Sequence, residues 1–262
     1  MPWTAPWPPC STRAKLQKGS PVYGRDVAEI HDDLNSARGK DYRAETEYLT
    51  EVIRGRRPGA DSLLDVGCGA GGHLVHFAEF VDRVEGVELS EDMLAAARAK
   101  LPDVPLHQGD MRSFDLGRRF DAIVCLFGAI GHTRDVGELR GTLGCFARHL
   151  ADGGVVVVEP WWFLEKFIDG YVSDDVVRSG TRSIARMSHT VRSGDVSTME
   201  VHFLVADART GVRHFSETYE HKLFTRDQYE SAFAEAGFDA EYVEGVQGGR
   251  GIFVGVAAKE RS

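Results

Sequence analysis

Apolar positions follow two different rhythms along the chain, and the change between them falls at Pro160. From Asp41 onward, Tyr48, Leu49, Val52 and Ile53 recur at the spacing of one helical face, and Pro58-Gly59 stops the run. Four short apolar runs follow, at residues 62–66, 84–89, 120–127 and 154–159, and their near-continuous content is that of strands buried on both sides. Between them, the segment after Ser90 has an N-capping serine, acids in its first turn, then Met93, Leu94 and three alanines. Val136, Leu139, Leu143, Phe146 and Leu150 step by three and four, which predicts another helix with one stripe against a sheet. Strand alternating with helix predicts a doubly wound α/β fold with a mostly parallel sheet.

Beyond Pro160 the period becomes two, with Met199, Val201, Phe203 and Val205 alternating with Thr198, Glu200, His202 and Leu204. Flanking runs at 181–191 and 212–223, and glycine turns at Ser193-Gly194-Asp195 and Arg209-Thr210-Gly211, predict a three-stranded antiparallel meander. Thr225 and Gln228 then form a capping box for a short helix ending at Gly237, and two last strands follow near 240–243 and 252–257. The expected organisation is therefore a Pro-rich disordered extension over 1–20, an α/β core over 21–160, an antiparallel β insertion over 161–222, and a return to the core over 223–262. Arg178, Arg182 and Arg186 recur every four residues and are expected on a solvated face rather than as a phosphate cradle.

Composition narrows the class of protein. A chain of 262 residues, 42% hydrophobic and 27% charged, suits one domain with an embellishment. Its formal charge of −9 argues against a protein that grips nucleic acid, which needs clustered Lys and Arg. The four cysteines stand far apart with no paired spacing, so neither a disulfide framework nor a metal site is expected. No apolar run approaches a membrane span and no signal-peptide order is present, so a soluble cytoplasmic protein is expected.

The strongest local motif runs from Leu63 to Gly72, LLDVGCGAGG, a buried strand ending in a glycine-rich turn that opens a helix. Glycines there let a ligand approach the backbone and the free N–H groups of the helix end. Gly67, Gly69 and Gly72 also fit the dinucleotide fingerprint, so the glycines alone leave a nicotinamide dehydrogenase or a silent nucleotide-binding module open. Two acids separate these readings. Asp65, just ahead of the first glycine, would repel a pyrophosphate but accept from an ammonium, as on the methionine end of S-adenosylmethionine (SAM). Asp110-Met111 offers an acid for an adenine amino group and an apolar wall for its ring, while Glu88, at the end of the second strand, suits ribose hydroxyls in either class.

The pattern of D-x-G-x-G-x-G, the second-strand acid and Gly109-Asp110-Met111 resembles the class I SAM-dependent methyltransferases. A closer resemblance covers residues 23–257. Arg38-Gly39-Lys40-Asp41-Tyr42, Gln108 to Arg112, Val155 to Phe163 with its Glu159-Pro160-Trp161-Trp162, Glu200-Val201-His202 and Gly248-Gly249-Arg250-Gly251 look like the TDP-amino-sugar N-methyltransferases of macrolide sugar biosynthesis. That resemblance implies a seven-stranded core, SAM as donor with S-adenosylhomocysteine as product, and methylation, once or twice, of an amine on a TDP-linked deoxysugar. It places Asp65, Gly67, Gly69, Glu88, Asp110, Met111 and Leu126 at the cofactor. It sets Tyr23 and His132 beside the substrate amine, Arg250 toward the diphosphate, and Trp161, Trp162 and Tyr42 near the ligands.

A sugar amine is largely protonated at neutral pH, so a proton acceptor or a path to water is needed. His132 is the candidate, as a base or as a group that only orients the amine, with Tyr23 as its partner. The family commonly has Tyr-Asp where this chain has His31-Asp32, which leaves His31 without a transferable role. Another small-molecule N- or O-methyltransferase is the alternative reading. The insertion is expected to shape either the sugar pocket or the contact of a homodimer.

Overall fold

A computed structural model describes residues 23–258, and the expected leader over 1–20 lies outside the described residues. The parallel strands are β1 (Ser62–Val66), β2 (Arg83–Glu88), β3 (Leu106–Gln108), β4 (Phe120–Cys125) and β5 (Leu150–Val158), completed by β10 (Phe238–Val243) and β11 (Ile252–Ala257). They form one seven-stranded sheet in the order β10-β11-β5-β4-β1-β2-β3, in which only β11 runs against its neighbours. Helices α1 (Arg25–Ala37), α2 (Tyr42–Arg56), α3 (Gly72–Phe80), α4 (Glu91–Lys100), α5 (Val136–Arg148) and α6 (Arg226–Glu235) complete the regular structure.

The apolar stripes sort themselves onto the two faces of the sheet. Leu49, Leu74 and Phe77 pack one face with Leu63, Val124 and Val157, while Leu139, Phe146 and Phe233 pack the other with Leu64, Ile123 and Val156. Alternate residues of each strand thus feed opposite layers, the doubly wound arrangement expected. Four of the six helices start at a side-chain cap: Asp41, Ser90, Asp135 and Thr225 accept from backbone N–H groups of the first turn, and Thr225 with Gln228 completes the capping box. Leu150, expected at the end of the fifth helix, instead opens β5, because Arg148 and His149 close the helix first.

The insertion has four antiparallel strands, not three: β6 (Tyr171–Ser179), β7 (Arg182–Ser193), β8 (Val196–Asp207) and β9 (Gly211–Lys222), ordered as a meander. The strand missing from the sequence reading is β6. Its outward positions include Val172 and Val176, 64% and 76% exposed, while Ser173 and Asp175 turn inward, so its polarity pattern is inverted. Inward Ile184, Val201, Phe203 and Val205 pack on Val27, Ile30 and Leu34 of α1, which lies across the inner face.

The arginine series Arg178, Arg182 and Arg186 does not share a solvated face. The turn after Ser179 breaks the series, leaving Arg178 outside while Arg186 is buried and Arg182 pairs with Glu29 and Asp207.

Candidate active site

Strand order reverses beside β1, with β2 and β3 on one side and β4 on the other, and ligands of open α/β sheets bind outside the carboxyl ends of strands at such a point. There the chain leaves β1 through the glycine turn. A Cβ on Gly67 would stand 2.9 Å from Ala129 Cβ, and one on Gly72 would stand 2.8 Å from the Tyr42 ring, so both positions require close approach. Glu88 holds the turn in place: its Oε2 accepts from the Gly69 N–H at 2.9 Å and its Oε1 from the Ser90 N–H at 2.8 Å.

Asp65 is 2% exposed and accepts no hydrogen bond from the described residues. Burial, with the charge of Glu88 added, pushes its carboxyl up to about 8. Asp110 is differently placed, accepting from the backbone N–H of Arg112 at 2.9 Å and from its Nε at 2.8 Å, and this bonding holds its carboxyl below the usual range. All seven residues assigned to the cofactor from sequence line one crevice of about 650 Å³. Six carboxylates, Asp32, Asp65, Glu88, Glu91, Asp92 and Asp110, face it against the single cation Arg112. A buried carboxylate without a partner in an acidic, half-apolar crevice fits a cationic ligand with an adenosyl group.

A second cavity of about 770 Å³ opens between α1, the inner face of the insertion and the loops bearing Trp161 and Arg250. Its lining charge is opposite: Arg38, Lys40, Lys166, Arg186 and Arg250 against Glu45. Trp161, Trp162 and Arg250 all reach it, whereas Tyr42, grouped with them from sequence, lines the acidic crevice. The Arg250 guanidinium is not free. Its Nε donates to Glu159 Oε1 at 2.9 Å, Glu159 is fully buried, and Phe127, Trp161 and Trp162 place their rings within 6.0 Å.

The two cavities meet at Tyr23, which lines both. Tyr23 has a positive φ of 58°, and Glu217 on β9 fastens it by accepting from the N–H groups of Tyr23 and Gly24, each at 2.9 Å. Its hydroxyl lies 3.3 Å from His132 Nε2, at the end of the short turn Ala129–His132 that follows β4. Burial raises the Tyr23 hydroxyl above its ordinary value and lowers His132, which favours the uncharged imidazole.

Sequence reasoning missed Glu217 and His221. The His221 ring lies 4.5 Å from that of His132 and stacks on Trp161 at 4.3 Å. Both sit at inward positions of β9 with Tyr219, so period-two parity was the available signal.

A model of a methyltransferase domain matches residues 63–154. The chain is 53% identical over 237 residues to a dTDP-3-amino-3,4,6-trideoxy-alpha-D-glucopyranose N,N-dimethyltransferase of Streptomyces venezuelae, covering 90% of this chain and 100% of the relative. It is 48% identical over 237 residues to a dTDP-4-amino-2,3,4,6-tetradeoxy-D-glucose N,N-dimethyltransferase of Saccharopolyspora spinosa, covering 90% of this chain and 95% of that one. An amino pentose methyltransferase from Micromonospora echinaspora, solved with SAM bound, superposes with a TM-score of 0.81 at 47% identity, covering 92% of this chain and 100% of that one. With an acidic crevice at the switch point and kinship along nine-tenths of its length, the chain belongs to the family of SAM-dependent TDP-amino-sugar N-methyltransferases.

Proposed function

We propose that this enzyme methylates, and then dimethylates, the amine of a dTDP-linked amino deoxysugar destined for an antibiotic. The observation that carries the reading is the meeting of two oppositely charged cavities at the Tyr23–His132 contact. The acidic side suits a cationic donor and the basic side an anionic nucleotide sugar.

When bound, SAM supplies an electrophilic methyl group on a positively charged sulfur. Asp65 takes the ammonium of the donor, Glu88 its ribose hydroxyls and Asp110 its adenine amino group, with Met111 and Leu126 as apolar walls and Gly67 and Gly69 admitting it to the backbone. Tyr42 walls the same crevice. Arg250 turns the N–H groups that Glu159 leaves toward the substrate phosphates, and Trp161 and Trp162 flank the sugar.

The substrate arrives as an ammonium and must lose a proton to expose its lone pair. The Tyr23 oxygen accepts from the amine while its own O–H donates to His132 Nε2, so the proton ends on the imidazole. Held in this way, the nitrogen gains the advantage of positioning, which accounts for about 7–11 kcal/mol of barrier in well-oriented reactions.

Incubation with SAM and a panel of dTDP-3-amino and dTDP-4-amino sugars, followed by mass spectrometry, tests the reading. One and then two methyl groups on a single nucleotide sugar are expected. Methylation of free amino sugars at the same rate would overturn it in favour of another small-molecule methyltransferase.

A further inference from the structure

His221 lines the basic cavity, and no step above employs it. It is 4% exposed, it points inward from β9, and its Nδ1 has no hydrogen-bond partner among the described residues. What it meets are rings: the Trp161 indole at 4.3 Å with the planes 16° apart, and the His132 imidazole at 4.5 Å with the planes 39° apart. Burial, then the nearness of His132 and Arg250, lowers it well below its ordinary value, which favours the uncharged ring. A neutral ring beside His132 does not oppose the arrival of a proton there.

The turn that carries His132 rests on the same stack. A Cβ on Gly128 would stand 2.7 Å from Trp161 Cε3, and one on Gly131 would stand 2.8 Å from Trp161 Cβ and 3.4 Å from His221 Cδ2. The backbone therefore closes on the two rings where it has no side chain to keep it away. From β9, the backbone carbonyl of Glu220 accepts from the His132 ring, whose Nε2 faces the Tyr23 hydroxyl. An imidazole that gives one N–H to a carbonyl keeps its other nitrogen bare, and here the bare nitrogen is Nε2. Ser197 Oγ donates to the His221 carbonyl at 3.2 Å and fixes this part of the strand. Two consecutive residues of β9 thus act on His132, one through its backbone and one through its ring.

We propose that His221 is a positioning residue for His132: its ring, packed against the Trp161 indole and the His132 imidazole, holds that imidazole with Nε2 toward Tyr23 and carries the placement of Trp161 at the sugar to the group that receives the proton. The inference rests on the roles given to His132 and Trp161 above. Rotation of the imidazole would swing Nε2 off Tyr23, and a misplacement of about 1 Å in a reacting group costs on the order of a hundredfold in rate. A flat ring against its face removes that freedom.

Turnover of dTDP-amino sugars by His221→Ala, His221→Phe, His132→Asn and the double variant H221A, H132N tests it, with calorimetric affinities for S-adenosylhomocysteine and TDP beside each. H221A is expected to lower kcat about tenfold and to leave both affinities within about twofold of wild type, because the ring acts on neither ligand. H221F, which restores a flat ring, is expected to recover most of that loss, and a loss as large as that of H221A overturns the stacking role. In the H132N background H221A is expected to add no more than about twofold, because a residue that acts through His132 then has nothing left to position. A full tenfold loss in that background overturns the proposal, as does a kcat of H221A within about twofold of wild type. A kcat of H132N within about twofold of wild type overturns the proton-acceptor role of His132 and this proposal with it. No turnover of any such sugar by the wild type overturns the nucleotide-sugar reading and the proposal together. Should H221A fail to fold, Gly131→Ala, which pushes the turn off the same two rings, takes its place. It is expected to lower kcat several-fold in the wild type and not in H132N, and equal behaviour in the two backgrounds overturns the proposal.

Discussion

The two cavities share Tyr23, His31 and Phe127 as a common wall yet differ in how the chain builds them. The acidic crevice draws most of its charge from a continuous stretch, Asp65 to Arg112, in which the acids lie at, or a few residues beyond, the carboxyl ends of β1, β2 and β3. The basic cavity collects its cations from Arg38 to Arg250, across α1, the insertion and the last loops. A net charge of −9 says nothing of the second cavity, because five local cations vanish into the sum. What separates the two cavities is thus a difference of field over a short distance, assembled by local sequence on one side and by tertiary folding on the other.

The sharpest way to break this comparison is at the seam. His132→Asn is expected to lower kcat by more than about a hundredfold while leaving the affinities for S-adenosylhomocysteine and TDP unchanged. A loss of less than about tenfold would leave His132 an orienting role only. On the acidic side alone, Asp65→Asn should weaken SAM by about thirtyfold, or about 2 kcal/mol, with TDP binding within twofold of wild type. Equal losses for both ligands would show that the cavities are not independent.

Salt supplies a milder contrast. Raising potassium chloride from about 0.05 to 0.5 M should weaken TDP several-fold through screening of the basic lining, and S-adenosylhomocysteine much less, since its sulfur is neutral. The smallest effect concerns Asp65 itself. Because its carboxyl is raised to about 8 in the folded protein, its contribution to stability is present at low pH and is lost as pH rises through that value. Asp65→Asn should therefore melt a few degrees higher than wild type at pH 9, and the gap should narrow at pH 5. A gap that widens at pH 5 would place the raised carboxyl elsewhere.

The core and its crevice were legible because their signals are short-range. A buried strand, a glycine turn and an acid at the strand end lie within ten residues in Leu63 to Gly72, and local periodicity marks the helices that flank them. β6 was not legible because Ser173 and Asp175 occupy inward positions while Val172 and Val176 face out, so hydrophobic alternation points the wrong way. Arg186 was misread for a related reason: a turn between Ser179 and Arg182 resets which side is inward, and spacing alone does not report it. Glu159 and Arg250 stand in motifs that family resemblance singled out, but their mutual pairing joins residues far apart in the chain and exists only after folding.

The clamp of Glu217 on the Tyr23 and Gly24 amides makes the insertion responsible for the shape of the chemistry. A core stripped of β9 would retain every carboxylate of the donor crevice, yet Tyr23 would lose its anchor and His132 its hydroxyl partner. Remodelling of those strands would thereby reach both the wall of the basic cavity and the contact between Tyr23 and His132.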